Sequence, residues 1–115
     1  MNKLFLLFTL YLIFLNKIDA QENALKVGVS CMDVSPTVFP IQLRSGKSNF
    51  VHDPLHVRAV AFESGEGRAV ICLIDAIGIG REMSDIAKSK AAKKTGWKTE
   101  EMLICATHTH SAPKG

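Results

Sequence analysis

The sequence lacks the features that mark several common classes of protein. It has no internal repeat and no low-complexity segment, and its 115 residues are 47% hydrophobic and 22% charged. That balance excludes an intrinsically disordered chain, and the length allows one domain at most. The formal net charge is only +3, and the lysines at 88–94 alternate with apolar residues, as on a solvated helix face. No nucleic-acid partner is therefore expected.

Cysteine is also scarce: the three residues are Cys31, Cys72 and Cys105, and they form no Cys-x-x-Cys pair. A zinc site built from cysteines is therefore not expected. Cys72 and Cys105 fall in apolar, strand-like runs, where cysteine usually serves as a small buried hydrophobic residue. A disulfide bond between these two is the alternative in an exported protein.

The first residues have the pattern of a secretory signal peptide. Lys3 gives a basic start, an apolar run extends from Leu4 to Leu15, and Ala20 offers a small residue for cleavage. The run is shorter than the roughly 20 residues of a transmembrane helix, and an uncleaved anchor is the alternative. We therefore expect a signal peptide at 1–20, a folded segment at 21–115, and a secreted or periplasmic protein.

Four stretches of the mature segment predict strands or a loop. Apolar residues alternate from Leu25 to Cys31, which predicts a half-buried strand. Residues 37–56 have no clear period and predict a long loop, a frequent place for function. Two β-rich runs, 57–63 and 68–75, are separated by a glycine-containing turn and predict a hairpin. The second run is continuously apolar, which is typical of a strand covered on both faces.

A helix and a further strand follow this hairpin. Helical spacing over 81–95 predicts a buried face made of Met83, Ile86, Ala87 and Ala91, and Gly96 is suited to end the helix. The apolar run 102–106 predicts a strand. The order strand, helix, strand predicts an α/β fold, with a mixed sheet that contains a right-handed βαβ unit. Its ligands would gather beyond the carboxyl ends of the two parallel strands.

The segment after the last strand carries two histidines with one residue between them, His108 and His110. Residues at this spacing on an extended segment project to the same side, and neutral imidazole is a common zinc ligand. The sequence therefore predicts a metal site here, which Asp75 at the end of the neighbouring strand could approach. The alternatives are loop histidines hydrogen-bonded to backbone and an aspartate that orders its own loop.

A second polar group lies around the end of the long loop. We expect His52 to be exposed beside Asp53, and His56 to face solvent or pack rather than bind metal. Arg58 could meet an anionic group, although a surface position is equally consistent with the sequence.

Taken in order, these segments resemble the N-terminal part of neutral/alkaline non-lysosomal ceramidases. The resemblance runs from about Leu25 to Gly115. Its last segment, Thr107 to Pro113, is similar to the family's Thr-His-Thr-His-Ser-Gly-Pro signature and is the specific part of the match. The weaker parts are Val27–Pro36, Asp53–Ala59 and Asp75.

The resemblance implies a zinc-dependent amidohydrolase that cleaves N-acylsphingosine into fatty acid and sphingosine. It implies that His108 is a zinc ligand and that His110 is a catalytic residue beside the metal that helps to bind substrate or to order the pocket. It also implies a lipid substrate of the ceramide kind, contact with membrane surfaces, and a chain that is the incomplete N-terminal part of a larger catalytic domain.

Two features depart from the family pattern. Ala112 and Lys114 stand where ceramidases usually have glycine, so the substrate could be another amide or an ester. The family's further zinc ligands, a histidine, a glutamate and a tyrosine, come later in the sequence, as does its serine. The resemblance therefore implies that the 115-residue chain alone is inactive. A secreted, non-catalytic binding module that uses the loop at 37–56 is the alternative of another class.

Overall fold

The computed structural model describes residues 24–113, so the predicted signal peptide and Lys114 lie outside the described residues. Within this range, strands and one long helix form the mixed α/β fold that the sequence predicts. The strands are β1 (Lys26–Asp33), β2 (Ile41–Leu43), β3 (Gly46–Ser48), β4 (His56–Ser64), β5 (Gly67–Ile74) and β6 (Met102–Ala106). Helix α1 spans Arg81–Thr95, and a 3₁₀ turn follows at Thr99–Glu101.

The main sheet has the strand order β1-β4-β5-β6. The predicted hairpin is confirmed: β4 and β5 are antiparallel around a turn in which Gly65 takes a φ of 55°, a value that glycine adopts freely. The outer strand β6 runs parallel to β5, and α1 lies between these two strands in the chain. Their carboxyl ends therefore meet at one edge, where the Thr107 N–H donates to the Ile74 carbonyl at 2.9 Å.

Helix α1 has the bounds that the sequence predicts, but its buried face differs. Gly96 ends the helix with a φ of 74° and donates its N–H to the Ala92 carbonyl, as a glycine after a helix commonly does. Ala91 is half-buried as expected, whereas Met83 is 63% exposed and Ile86 is 45% exposed. Small side chains therefore face the rest of the chain, and the larger apolar ones do not. No helix among residues 24–113 is long and apolar enough to cross a membrane.

The two faces of the sheet are covered to different extents. We call the face that carries Val70 and Met102 the inner face, and the face that carries Val29, Ile71 and Leu103 the open face; residues paired across strands share a face. Met102 is 8% exposed, but its neighbour Leu103 is 56% exposed. In β5 itself, Ile71 on the open face is 42% exposed, so the prediction that β5 is covered on both faces is wrong for the described chain.

The first strand is also less buried than its sequence pattern indicates. Every residue of β1 is exposed, and Val29 is 82% exposed. β1 is an edge strand of the main sheet, and no layer among residues 24–113 lies against its apolar side. The alternation of apolar residues correctly predicted strand β1, but it could not show whether another layer packs against the apolar side of that strand.

The segment predicted as a long loop contains the short hairpin β2–β3. Leu43 pairs with Gly46 in this hairpin and also forms an isolated β-bridge with Pro113. Strands of three residues are too short to give a period, so the sequence did not reveal them. The bridge joins the hairpin to the segment that carries the two histidines.

A disulfide bond between Cys72 and Cys105 is excluded by the register of β5 and β6. The parallel pairing places Cys72 opposite Ile104 and Leu73 opposite Cys105, so the two sulfur atoms point to opposite faces of the sheet. Cys105 donates its S–H to the Cys72 carbonyl instead, and both thiols are free. Burial, with a smaller contribution from Cys105, raises the pKa of the Cys72 thiol.

We expect the open face to bind an apolar dye. A groove of about 480 Å³ lies on it, lined chiefly by aliphatic side chains of β1, β4 and β5, and contiguous apolar surface of this kind marks a contact region. The double variant Val29→Lys, Ile71→Lys should sharply reduce the fluorescence of an anilinonaphthalene dye and any self-association in sedimentation. Met83→Lys changes a residue of α1 that is 63% exposed and should leave both unchanged; an equal reduction in this control would contradict the assignment.

Candidate metal and substrate site

His108 is held in one orientation by the backbone of the neighbouring strand end. Its Nδ1 lies 2.7 Å from the Ile77 carbonyl oxygen. A carbonyl oxygen only accepts hydrogen bonds, so Nδ1 is a donor, and in the neutral ring this leaves the lone pair on Nε2. Metal-binding histidines are usually fixed in this way by their second nitrogen.

The backbone of His108 is also unusual, since its φ of 63° lies in the left-handed region. This region is sparsely populated by residues other than glycine, and such positions concentrate at functional sites. The conformation turns the chain just after β6 and brings the ring to the Ile77 carbonyl. The turn at His108 therefore both places its backbone in the left-handed region and orients its ring.

His110 lies beside His108. The two ring centroids are 5.2 Å apart, with an interplanar angle of 75°. The two imidazoles lie together as expected, although the segment turns at His108 and is not extended as the sequence analysis assumed. Residues 24–113 contain no group of three or more histidine, cysteine or acidic side chains that could hold a metal. The described chain therefore offers two imidazoles, and a catalytic zinc usually takes three protein ligands.

Asp75 does not join the histidines but organises the end of β4. Its Oδ2 accepts the His56 backbone N–H at 2.8 Å and an Arg58 guanidinium N–H at 2.9 Å. These two bonds, the backbone one first, hold the pKa of Asp75 below its ordinary range, and the Thr107 side chain adds to them. These contacts support the alternative in which Asp75 orders the adjacent loop and strand end and does not bind metal.

The other polar candidates are accounted for by the same network or by solvent. Arg58 donates from Nη2 to Nδ1 of His56 at 3.1 Å, so that nitrogen is an acceptor. The same nitrogen is 3.9 Å from Asp75 Oδ2, too far for a hydrogen bond. His52 is 85% exposed and contacts Asp53 at 3.0 Å, which confirms its expected exposure.

We expect Asp75→Asn to destabilise the chain in a pH-dependent manner. The folded-state pKa of Asp75 is lowered, so its contribution to stability is present above the ordinary value of about 3.9 and is lost as the pH falls through the lower folded value. The free energy of unfolding of wild type should exceed that of the variant at neutral pH, and the gap should close in acid. A gap that stays constant down to the acid transition would contradict this role, and Asp53→Asn, at an exposed position, is the control.

Alternate residues of the segment after β6 line two different cavities. Thr109 and Ser111 face a cleft of about 550 Å³ formed with the loop at 36–55 and Asp75. His110 and Ala112 face a smaller cavity of about 330 Å³. The His110 side of the segment is therefore separate from the Asp75 side.

The smaller cavity also includes Ile77 and Arg44, which the sequence analysis missed. Arg44 lies in the turn between β2 and β3, next to the bridge from Leu43 to Pro113. Ile77 contributes its backbone carbonyl, which accepts the hydrogen bond from His108. Every residue has such a carbonyl, so the side-chain pattern of the sequence could not single it out. Arg44 could not be assigned to the site without knowing that the hairpin contacts the histidine segment.

The fold of this chain is similar to part of a solved hydrolase structure. No protein-family model and no curated protein matches the sequence. Among solved structures, the neutral ceramidase from Pseudomonas aeruginosa matches 81% of this chain with a TM-score of 0.71 and 20% identity. The chain shares the fold of a ceramidase segment. The match spans 16% of the length of that ceramidase, so this chain corresponds to a small part of it.

Proposed function

We propose that residues 21–115 form the N-terminal part of a secreted, zinc-dependent amidohydrolase that resembles neutral ceramidase and hydrolyses the amide of N-acylsphingosine. The observation that carries the proposal is the His108 ring, whose Nδ1–H is bound to the Ile77 carbonyl and whose Nε2 is left free. The shared fold with a segment of a neutral ceramidase supports the same reading. The predicted signal peptide at 1–20 accounts for export.

In this proposal His108 binds zinc through Nε2, and the donor chemistry of a neutral, oriented imidazole fits that metal. Zinc bound there would supply Lewis acidity and a bound water of lowered pKa. His110, whose ring lies against that of His108, has the catalytic role of binding and orienting substrate. The remaining ligands come from outside the described residues.

A larger catalytic domain would also explain the uncovered apolar surface. Val29, Leu103 and Met83 are each more than half exposed, an arrangement that a chain of this size rarely tolerates alone. We propose that further layers of the same domain cover the open face. In that domain β5, α1 and β6 form the predicted right-handed βαβ unit, and a lipid substrate brings the enzyme to membrane surfaces.

One observation favours a related hydrolase with another amide or an ester as substrate. Ala112 is 4% exposed and lines the cavity beside His110. Its methyl group occupies space that glycine, the usual residue in ceramidases proper, would leave empty. The cavity is therefore smaller than the ceramidase signature would give.

The test is hydrolysis by the protein expressed from the complete reading frame. We expect zinc-dependent release of fatty acid from an N-acyl substrate, loss of zinc and activity together in His108→Ala, and no hydrolysis by the 115-residue chain. The matched control is His52→Ala, at an exposed position. Hydrolysis by the 115-residue chain, or full activity in His108→Ala, would contradict the proposal.

A further inference from the structure

Two hydrogen bonds join the histidine segment to the chain that follows β5. The Thr107 N–H donates to the Ile74 carbonyl at 2.9 Å, and the next residue, His108, donates from Nδ1 to the Ile77 carbonyl at 2.7 Å. The first bond continues the pairing of β6 with β5. The second depends on where the chain places Ile77 after it leaves the sheet. The orientation of the His108 ring therefore depends on the conformation of residues 75–77.

These residues leave the sheet through a tight turn centred on Asp75. The Ala76 N–H donates to the Ile74 carbonyl at 3.0 Å, which closes a γ-turn. The Asp75 N–H donates to the His56 carbonyl at 2.9 Å, and the Asp75 carboxylate accepts the His56 backbone N–H at 2.8 Å. Both the main chain and the side chain of Asp75 therefore bind the turn to β4.

Arg58 holds the carboxylate in this position. Its guanidinium donates to the same oxygen, Oδ2, at 2.9 Å. The Asp75 side chain is only 15% exposed, and a charge-assisted hydrogen bond is strong where water has little access. Ala76 and Ile77 have no polar side-chain atoms, so Asp75 is the one residue of 75–77 whose side chain can hydrogen-bond. The conformation of the turn therefore depends on this carboxylate.

We propose that Asp75 is a positioning residue for His108. Its carboxylate holds the turn at 75–77, the turn presents the Ile77 carbonyl to the ring, and this carbonyl keeps the proton of the neutral ring on Nδ1. Asp75 thus acts on the Nε2 lone pair through the backbone and is itself no ligand. The binding of zinc by that lone pair rests on the proposed function, whereas the orientation of the ring does not.

The experiment compares the His108 ring in variants of the protein expressed from the complete reading frame. Asp75→Ala removes the acceptor of both side-chain bonds, and Asp75→Asn keeps an oxygen at nearly the same place. Long-range proton–nitrogen correlation spectra of the metal-free protein at neutral pH report the tautomer. We expect a proton on Nδ1 in wild type, a mixture with the Nε2–H form in Asp75→Ala, and a return toward the wild-type spectrum in Asp75→Asn.

The affinity for zinc is the second readout. The dissociation constant, measured by competition with a chelator, should rise about 10–100-fold in Asp75→Ala, the usual effect of losing a group that orients a ligand. The rise should be smaller in Asp75→Asn, because the remaining oxygen still accepts hydrogen bonds.

Asp33→Ala is the matched control. Asp33 also lies at the end of a strand and accepts a backbone N–H of its own turn, from Ser35 at 2.8 Å, but that turn is not bonded to His108. Its removal should leave the tautomer and the zinc affinity at their wild-type values. Equal changes in Asp33→Ala and Asp75→Ala would show a general loosening of the fold and would overturn the proposal.

Arg58→Gln covers the case in which Asp75→Ala does not fold. It leaves the carboxylate and its bond from His56 in place, so it should change the His108 ring in the same direction by a smaller amount. An unchanged tautomer in Arg58→Gln and in any folded Asp75→Ala protein overturns the positioning role, even where His108 binds zinc. A tautomer that follows Asp75 in a protein that binds no zinc supports the positioning role and overturns the proposed zinc enzyme.

Discussion

Replacing His108 with alanine is expected to abolish zinc binding by the complete protein and its hydrolytic activity together. The Ile77 carbonyl holds the ring with Nε2 free, so the substitution removes a ligand that is already oriented. Loss of an outer-shell partner alone typically lowers metal affinity by about 10–100-fold, and loss of the ligand itself should exceed that. Metal content by elemental analysis and fatty-acid release from an N-acyl substrate measure the two effects.

The control for this prediction is His52→Ala. His52 is 85% exposed, and its only hydrogen-bond partner among the described residues is Asp53, so its removal should change neither metal content nor activity. If His108→Ala retained one equivalent of zinc and normal activity, His108 would be a structural loop histidine. The non-catalytic binding module would then become the better account of the chain.

The second large effect is expected in the sheet. Met102→Ala should lower the free energy of unfolding by about 2 kcal/mol, the lower end of the range for truncating a buried aliphatic residue. Met102 is 8% exposed and lies on the inner face. A loss of this size is a large fraction of the stability of a small domain. Chemical denaturation followed by circular dichroism provides the measurement.

Leu103→Ala is the matched control for this substitution. The two residues are adjacent in β6, but Leu103 points to the open face and is 56% exposed. Its truncation should cost about 0.5 kcal/mol or less in the isolated chain. Equal losses in the two variants would mean that both faces are covered, and the distinction between an inner and an open face would be wrong.

Features of the fold that depend on a few neighbouring residues were predictable from the sequence, whereas features that depend on distant segments were not. The turn at Gly65 and the end of α1 at Gly96 were predictable because each depends on a few neighbouring residues. The parallel pairing of β5 and β6 followed from the order of elements. The exposure of Val29 and Met83 was not predictable, because burial depends on what lies opposite a residue and not on its own periodicity.

The candidate site shows the same division. The proximity of the His108 and His110 rings was predicted from their spacing, but the left-handed turn at His108 was not. The role of Asp75 depends on the register of β4 and β5, which places Arg58 within 2.9 Å of it. Arg44 reaches the site only through the bridge from Leu43 to Pro113, a contact between segments that no local pattern encodes.

The most direct test of the account is the state of the two nitrogens of His108. Long-range proton–nitrogen correlation spectra of the protein expressed from the complete reading frame, recorded at neutral pH with and without zinc, report which ring nitrogen carries the proton and which binds metal. The account predicts a proton on Nδ1 of His108 in the metal-free protein and a selective change at Nε2 of His108 when zinc is added, with no change at His52. A proton on Nε2, or binding of zinc by the complete protein without any change at His108, would contradict it.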